Sequence, residues 1–235
     1  MKKRFTPFAK KKLLFIAVLT AAIMVRAGTI VSGGRPTDEA FADLSVWKVQ
    51  DGEFVGPRGG EMLYSRLFYP GNVTVEAVLA LDKLAGTAAS ISVQGVNWGF
   101  DGGKDRRPFV ESMLVAKSLG SSGISLESGR FFTVRIESRE GKQRCLIDGK
   151  VLAENIPVPK DPKTAGVVYL RPHRSTMRVR EFKVTGTAAG MLPKSLETPI
   201  RGRTFALGGD LEWVKENLLD RSPAEISCKS SCQLP

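Results

Sequence analysis

The chain has 235 residues, a formal net charge of +11 at pH 7 and 42% hydrophobic residues, enough for one good-sized domain plus tails. The charge does not signal nucleic acid. Lys2, Lys3, Arg4, Lys10, Lys11, Lys12 and Arg26 all lie in the first 27 residues, which hold no acid, so the rest of the chain carries only +4 and lacks the basic clustering that a nucleic-acid surface needs.

Residues 1–27 read as a secretory signal. A basic start is followed by the apolar run Leu13 to Val25, and Val25-Arg26-Ala27 offers small residues where a signal peptidase reads. Cleavage before Gly28 is expected, with a secreted or periplasmic product. An uncleaved anchor is the alternative, but the apolar run is shorter than the roughly 20 residues a span needs. No stable membrane span is expected after cleavage.

Residues 28–43 form a polar lead, expected to be loose. Strand signals begin at Leu44. Ser45 to Val49 alternates, Asp51-Gly52 turns, and Phe54-Val55 returns. Met62 to Tyr64 is a short strand. In Asn72 to Leu81, Val73, Val75, Ala77, Leu79 and Leu81 share one face. Ala88 to Val93 follows, then the Gly-rich aromatic run Gln94 to Gly103, then strands over Phe109 to Ala116 and Gly123 to Leu126. Phe132, Val134 and Ile136 alternate with Thr133, Arg135 and Glu137. Asp148-Gly149 marks a tight hairpin turn. Gly166 to Leu170 is apolar on both faces, as a central strand would be. In the last strand, Met177 and Val179 are out of phase with Phe182 and Val184, which predicts a β-bulge at Arg180-Glu181. About ten to twelve short strands with turns between them predict an all-β antiparallel sandwich over residues 44–186.

Residues 187–235 form a linker and a poorly specified tail, with a short helix predicted over Leu211 to Leu219. The three cysteines are Cys145, Cys228 and Cys232. Cys145 reads as a small core residue, and Cys228 and Cys232 are candidates for a mutual bridge. Two tail cysteines and the single His173 do not make a zinc site, so no metal centre is expected. Asp101-Gly102-Gly103-Lys104-Asp105 offers oxygens to calcium, against which its central lysine argues. No other cofactor is expected.

The segments Trp47 to Gly56, Leu63-Tyr64-Ser65 and Val73 to Leu81 resemble the opening of the 3-keto-disaccharide hydrolase domain. Gly166 to His173 and Val179 to Val184 are similar to its closing strands, with Arg171 where that family usually has Gln and Glu181 where it has Asn. Phe131 to Gly149 resembles its central hairpin. The resemblance covers about 44–186. It implies a concanavalin A-like jelly roll, related in shape to laminin-G and family-16 glycoside hydrolase modules, and a sugar-facing groove with an acidic residue from the middle of the domain. Glu111 is the candidate for that residue. Glu111, through the resemblance, and His173, the lone histidine, able to act as acid or base, are the catalytic candidates.

Common glycosidases need two carboxyl groups across the scissile bond. The strand triplet Glu-x-Asp-x-x-Glu of family 16 is missing; Glu137 and Glu140 are out of phase, and Glu127 sits by a turn. The expected function is thus a secreted carbohydrate-binding jelly roll holding a glycan on its concave face. The alternatives are a glycoside hydrolase acting on 3-keto-disaccharides, which the resemblance favours, and a laminin-G-like adhesion or scaffold domain. The expected ligand-binding set is Trp98, Arg135, Arg171, His173 and Glu111, with the arginines forking onto hydroxyls or a carboxylated sugar and Trp98, joined by Phe100, stacking on a sugar face at the rim.

Overall fold

The face shared by Val73, Val75, Ala77, Leu79 and Leu81 sets the core: all five are buried, on β8 (Val73–Leu81). The computed structural model describes residues 25–191, apart from 60–61, 85–88, 101–107, 120–121 and 162–163. Within them, eighteen strands numbered in chain order form two antiparallel sheets and one small ribbon.

In the larger sheet β15 (Lys150–Pro157), β14 (Lys142–Ile147) and β13 (Phe132–Arg139) lie to one side of β8. On its other side lie β17 (Met177–Thr187), β1 (Val25–Ser32) and β2 (Arg35–Pro36), with β4 (Lys48–Gln50) paired to β5 (Glu53–Gly56) and β5 to β17. The smaller sheet runs β12 (Ala116–Ser118), β11 (Phe109–Glu111), β10 (Val96–Gly99), β9 (Ala89–Val93), β16 (Val168–Pro172), β6 (Leu63–Ser65), β3 (Ala40–Phe41). The ribbon pairs β7 (Leu67–Phe68) with β18 (Gly190–Met191). The architecture is an antiparallel jelly-roll-type β-sandwich.

Apolar side chains from both sheets meet between the layers. Val134, Ile136, Met177, Val179, Phe182 and Val184 of the larger sheet face Ile91, Val93, Trp98, Val168 and Leu170 of the smaller one in a single buried cluster. Each such side chain contributes about 1.5–3 kcal/mol relative to exposure. Cys145 is fully buried within this cluster, and burial pushes its thiol far above its ordinary value.

The turns follow their residues. Asp51-Gly52 and Asp148-Gly149 both have positive φ, 50° and 75° in the first, 47° and 76° in the second, as tight hairpin turns require. The β8–β17 register shifts between Val179 and Glu181, which is the bulge that the phase change predicts. Along its other edge β17 changes partner at the same place: β5 pairs with Met177 to Val179, and β1 pairs with Phe182 to Thr187.

Three stretches differ from the reading of the sequence. The lead is not loose. Residues 28–43 contribute β2, β3 and most of β1, and Ile30 and Val31 are both in the core. A second bulge between Thr29 and Val31 lets these adjacent residues face inward together, which alternation alone hides. Phe109 to Ala116 is not one strand but the two-stranded start of a hairpin, β11 and β12, reversed where Ser112 N–H donates to the Val115 carbonyl at 2.6 Å. Gly123 to Leu126 is outside any strand. The predicted helix, Cys228, Cys232 and the Asp101 to Asp105 loop lie outside the described residues. Among the described residues no helix is long and apolar enough to cross a membrane.

Candidate functional site

Alternation aims every second residue of the smaller sheet away from the core. Ser90 and Ser92 stand between Ala89, Ile91 and Val93; Asn97 stands between Val96 and Trp98; Tyr169 and Arg171 flank Leu170. The register lines these outward side chains up across the strands. Glu111 lies opposite Asn97, Asn97 opposite Ser92, Ser92 opposite Tyr169, Tyr169 opposite Tyr64, and Tyr64 opposite Phe41. One row therefore crosses six strands, polar at the β11 end and aromatic at the β3 end.

The aromatic end is packed. Tyr64 and Tyr169 have ring centroids 5.0 Å apart, and Phe41 meets Tyr64 edge-on at 6.4 Å. The polar end opens into a cavity of about 380 Å³, within the range of small-ligand sites. Ser92, Asn97, Glu111 and Tyr169 line it together with Ser112, Met113 and Ala116 of the β11–β12 hairpin and Pro159, Asp161 and Thr164 of the β15–β16 connection. Met113 is 73% exposed at the mouth. Tyr169 is only 5% exposed; burial pushes its phenol above its ordinary value, and Ser92, hydrogen-bonded to it, pulls the other way.

Two glycines shape this face. Gly95 turns β9 into β10 with φ +80°, and a Cβ there would fall 2.5 Å from Thr164 Oγ1, so the glycine seats the far wall. At Gly99 a Cβ would fall 2.0 Å from the Phe109 ring, which lies across the bare backbone.

The expected site residues part company. Glu111 and Arg171 are on this face. Arg171 follows Tyr169 by two positions on β16, opposite Ser90, and its buried Nε has no hydrogen-bond partner. His173 lies just past β16, where its carbonyl accepts Gly59 N–H at 3.1 Å. Burial lowers the imidazole pKa, and the charges of Arg171 and Arg174 push it further the same way.

Arg135 is elsewhere. It stands on the outer face of the larger sheet, bound to Glu137 Oε1 at 2.7 Å and Glu76 Oε1 at 2.9 Å. The phase that turns it outward is right, but the sandwich has two outer faces, and β13 belongs to the other one. Trp98 is not at a rim. It is 0% exposed on β10, in phase with Val96 and Phe100, and donates its indole N–H to Gln143 Oε1 at 2.8 Å. Phe100 is also buried, edge-on to Phe132 at 5.4 Å. Neither ring reaches a ligand. Asn97, Ser92, Tyr169, Asp161 and Thr164 escape a reading of the sequence, although the Ser90-x-Ser92 alternation marks an outward polar face. Among the described residues no group of three His, Cys, Asp or Glu side chains is placed to hold a metal ion.

Comparison with family models and with curated protein sequences finds no match. Solved structures do resemble the chain. A sialidase matches with a TM-score of 0.51 and 9% identity over 63% of this chain, which spans 17% of that protein. The Trypanosoma rangeli sialidase in complex with sialic acid matches with a TM-score of 0.49 and 13% identity, over 71% of this chain and 31% of that one. The exoplasmic/lumenal domain of VIP36, in its Ca2+/Man3GlcNAc-bound form, matches with a TM-score of 0.48 and 7% identity, over 70% of this chain and 90% of that one. These are sugar-acting or sugar-binding proteins by name. At 9% identity, the likeness to the sialidase with a TM-score of 0.51 bears on the fold alone, the antiparallel β-sandwich.

Proposed function

We propose that this is an exported carbohydrate-binding domain that holds a glycan against the outer face of the smaller sheet. The observation that carries the reading is the row Glu111, Asn97, Ser92 and Tyr169 along a cavity of about 380 Å³. A sugar ring presents hydroxyls around its edge and C–H groups on its faces. It needs a carboxylate and an amide to bond the former and an apolar wall for the latter. Glu111 and Asn97 provide the first, Met113 and the small part of the buried Tyr169 that lines the cavity the second. Export follows from the leader-like residues 1–27, with cleavage before Gly28 as its checkable form by intact mass.

Glycan-array binding tests the reading. Asn97→Ala and Glu111→Gln each weaken binding by about tenfold, the effect of losing one hydrogen bond to a desolvated ligand, with melting temperature unchanged. Undiminished binding in both variants places the ligand elsewhere and favours the adhesion reading.

A second reading, hydrolysis of 3-keto-disaccharides or related glycans, draws on the family resemblance and on one feature of the cavity: Glu111 and Asp161 line it from different walls, and a carboxyl pair is what glycosidases use. Product release from 3-keto-disaccharides that stops in Glu111→Gln supports it; binding without turnover leaves the binding module.

A further inference from the structure

Among the described residues three arginines are not exposed: Arg66, Arg171 and Arg178. Two are visibly satisfied. Arg66 donates from Nη1 to the Asp38 carbonyl, and Arg178 meets Glu53 Oε2 at 3.1 Å and Asp82 Oδ1 at 3.0 Å. More exposed arginines are paired too: Arg135 with Glu76 and Glu137, Arg144 with Glu137, Arg180 with Glu53. Arg171 differs. Its Nε is buried and has no hydrogen-bond partner, and among the described residues no carboxylate forms an ion pair with it. Leaving a guanidinium N–H desolvated and unbonded is costly, and the cost is recovered only when an acceptor arrives.

The place of this cation on the groove is specific. Arg171 lies on the same face of β16 as Tyr169 and two residues along, a step of about 7 Å. Ser90 stands opposite it on β9, and Phe109 lies across Gly99 on the next strand over. His173 lies two residues further on, its imidazole pKa lowered first by burial and then by the Arg171 and Arg174 charges. The carboxylates of the groove, Glu111 and Asp161, line the cavity beyond Tyr169. Among the described residues, the face thus carries a cation at Arg171 and carboxylates at its cavity end.

Resting on the glycan reading above, we infer that the ligand is an acidic glycan, with an anionic sugar over Arg171 and a neutral sugar in the cavity beside Tyr169. A guanidinium fork matches a planar carboxylate with two parallel N–H donors. A sulfate ester presents the same kind of acceptor oxygens, so the shared chemistry is an anionic substituent at one end of the bound segment. A uniformly anionic polymer is disfavoured, because each following charge meets Glu111.

The test is isothermal titration of the full chain, without its leader, with matched oligosaccharides: a glucuronate-containing one, its carboxyl-reduced neutral counterpart, and a sulfated neutral one. The parent protein binds the glucuronate form at least about tenfold tighter than the reduced form at low salt, and raised salt narrows the gap. Arg171→Gln, which keeps most of the bulk, and Arg171→Ala both bring the ratio to near one, with affinity for the neutral form changed less than about threefold and the melting curve intact. Preference for the sulfated form alone keeps the anionic site and changes its ligand to a sulfate ester. Equal binding of charged and neutral forms by the parent, or a ratio untouched by either Arg171 variant, overturns the inference. If in that case Asn97→Ala still weakens neutral binding by about tenfold, the glycan reading stands without it. Absence of binding to all three and to a broad glycan array overturns both.

Discussion

Trp98 on β10 and Gln143 on β14 are bonded across the sandwich: the indole N–H meets Oε1 at 2.8 Å, and the same amide donates from Nε2 to the Val93 carbonyl at 2.9 Å. A side chain rooted in the larger sheet is therefore fixed at both its oxygen and its nitrogen by the smaller one. Trp98→Phe leaves Gln143 Oε1 without that donor in a buried place and costs about 1–3 kcal/mol. Trp98→Ala adds a cavity and costs about 3–5 kcal/mol. Urea unfolding measures both. Glycan affinity per folded molecule stays at the parent value in Trp98→Phe, since the ring does not reach the groove.

Trp47 makes a second stability prediction. It is 1% exposed and packs on Phe54 at a ring separation of 5.0 Å. Trp47→Ala destabilises by about 3–5 kcal/mol; a change below about 1 kcal/mol contradicts the burial. Its indole nitrogen is buried without a hydrogen-bond partner, so Trp47→Phe gives up contacts but no bond. It costs less than half as much as the alanine change in the same urea experiment.

Glu137 predicts a pH dependence. Arg144 at 2.6 Å, then Arg135 at 2.7 Å, hold its carboxylate below the ordinary value of 4.5, against the opposing effect of burial. A carboxylate with a lowered folded pKa stabilises the fold above the unfolded value and loses that contribution as pH falls through the folded one. Glu137→Gln therefore melts about 1–3 °C below the parent at pH 7. The gap holds down to about pH 4.5 and closes in more acidic buffer. A gap that stays constant into acid assigns the loss to packing instead.

Cys145 predicts a chemical result. A fully buried thiol whose pKa is raised by desolvation supplies almost no thiolate. Alkylation followed by peptide mapping finds Cys145 unmodified in native protein and modified in urea. Labelling without denaturant at the rate of a free thiol means that β14 opens locally.

How much of this was legible depends on what periodicity carries. The β8 face, the Asp148-Gly149 turn and the bulge in β17 rest on local phase and local turn chemistry, and the sequence displays both. Ile30 does not follow phase, because a bulge in β1 sets it beside Val31 facing inward. Trp98 was hidden differently. Val96-x-Trp98-x-Phe100 does alternate, but the glycines at positions 95 and 99 suggest a loop, when one makes the turn and the other receives Phe109. Arg135 is a matter of strand order. Alternation says whether a residue faces in or out, and only strand order says which of two outer faces it reaches. Glu111 and Arg171 come to one face because β11 and β16 are joined through β10 and β9, a fact of topology that no spacing in the chain encodes.

The turn that follows β1 has a consequence for how the chain folds. Gly33 N–H donates to Glu181 Oε1 at 2.9 Å across 148 residues of sequence, and Gly34 N–H donates to the Arg180 carbonyl at 2.9 Å. β8, at the centre of its sheet, likewise waits for β17 to cover one edge. A nascent chain that has not yet reached β17 leaves β1, β5 and β8 each with one uncovered edge and cannot close the larger sheet. Closure thus comes after synthesis of nearly the whole domain, and refolding belongs to the millisecond-to-second regime of topologies dominated by distant pairings. A fragment truncated before Met177 stays open and associates through its bare strand edges.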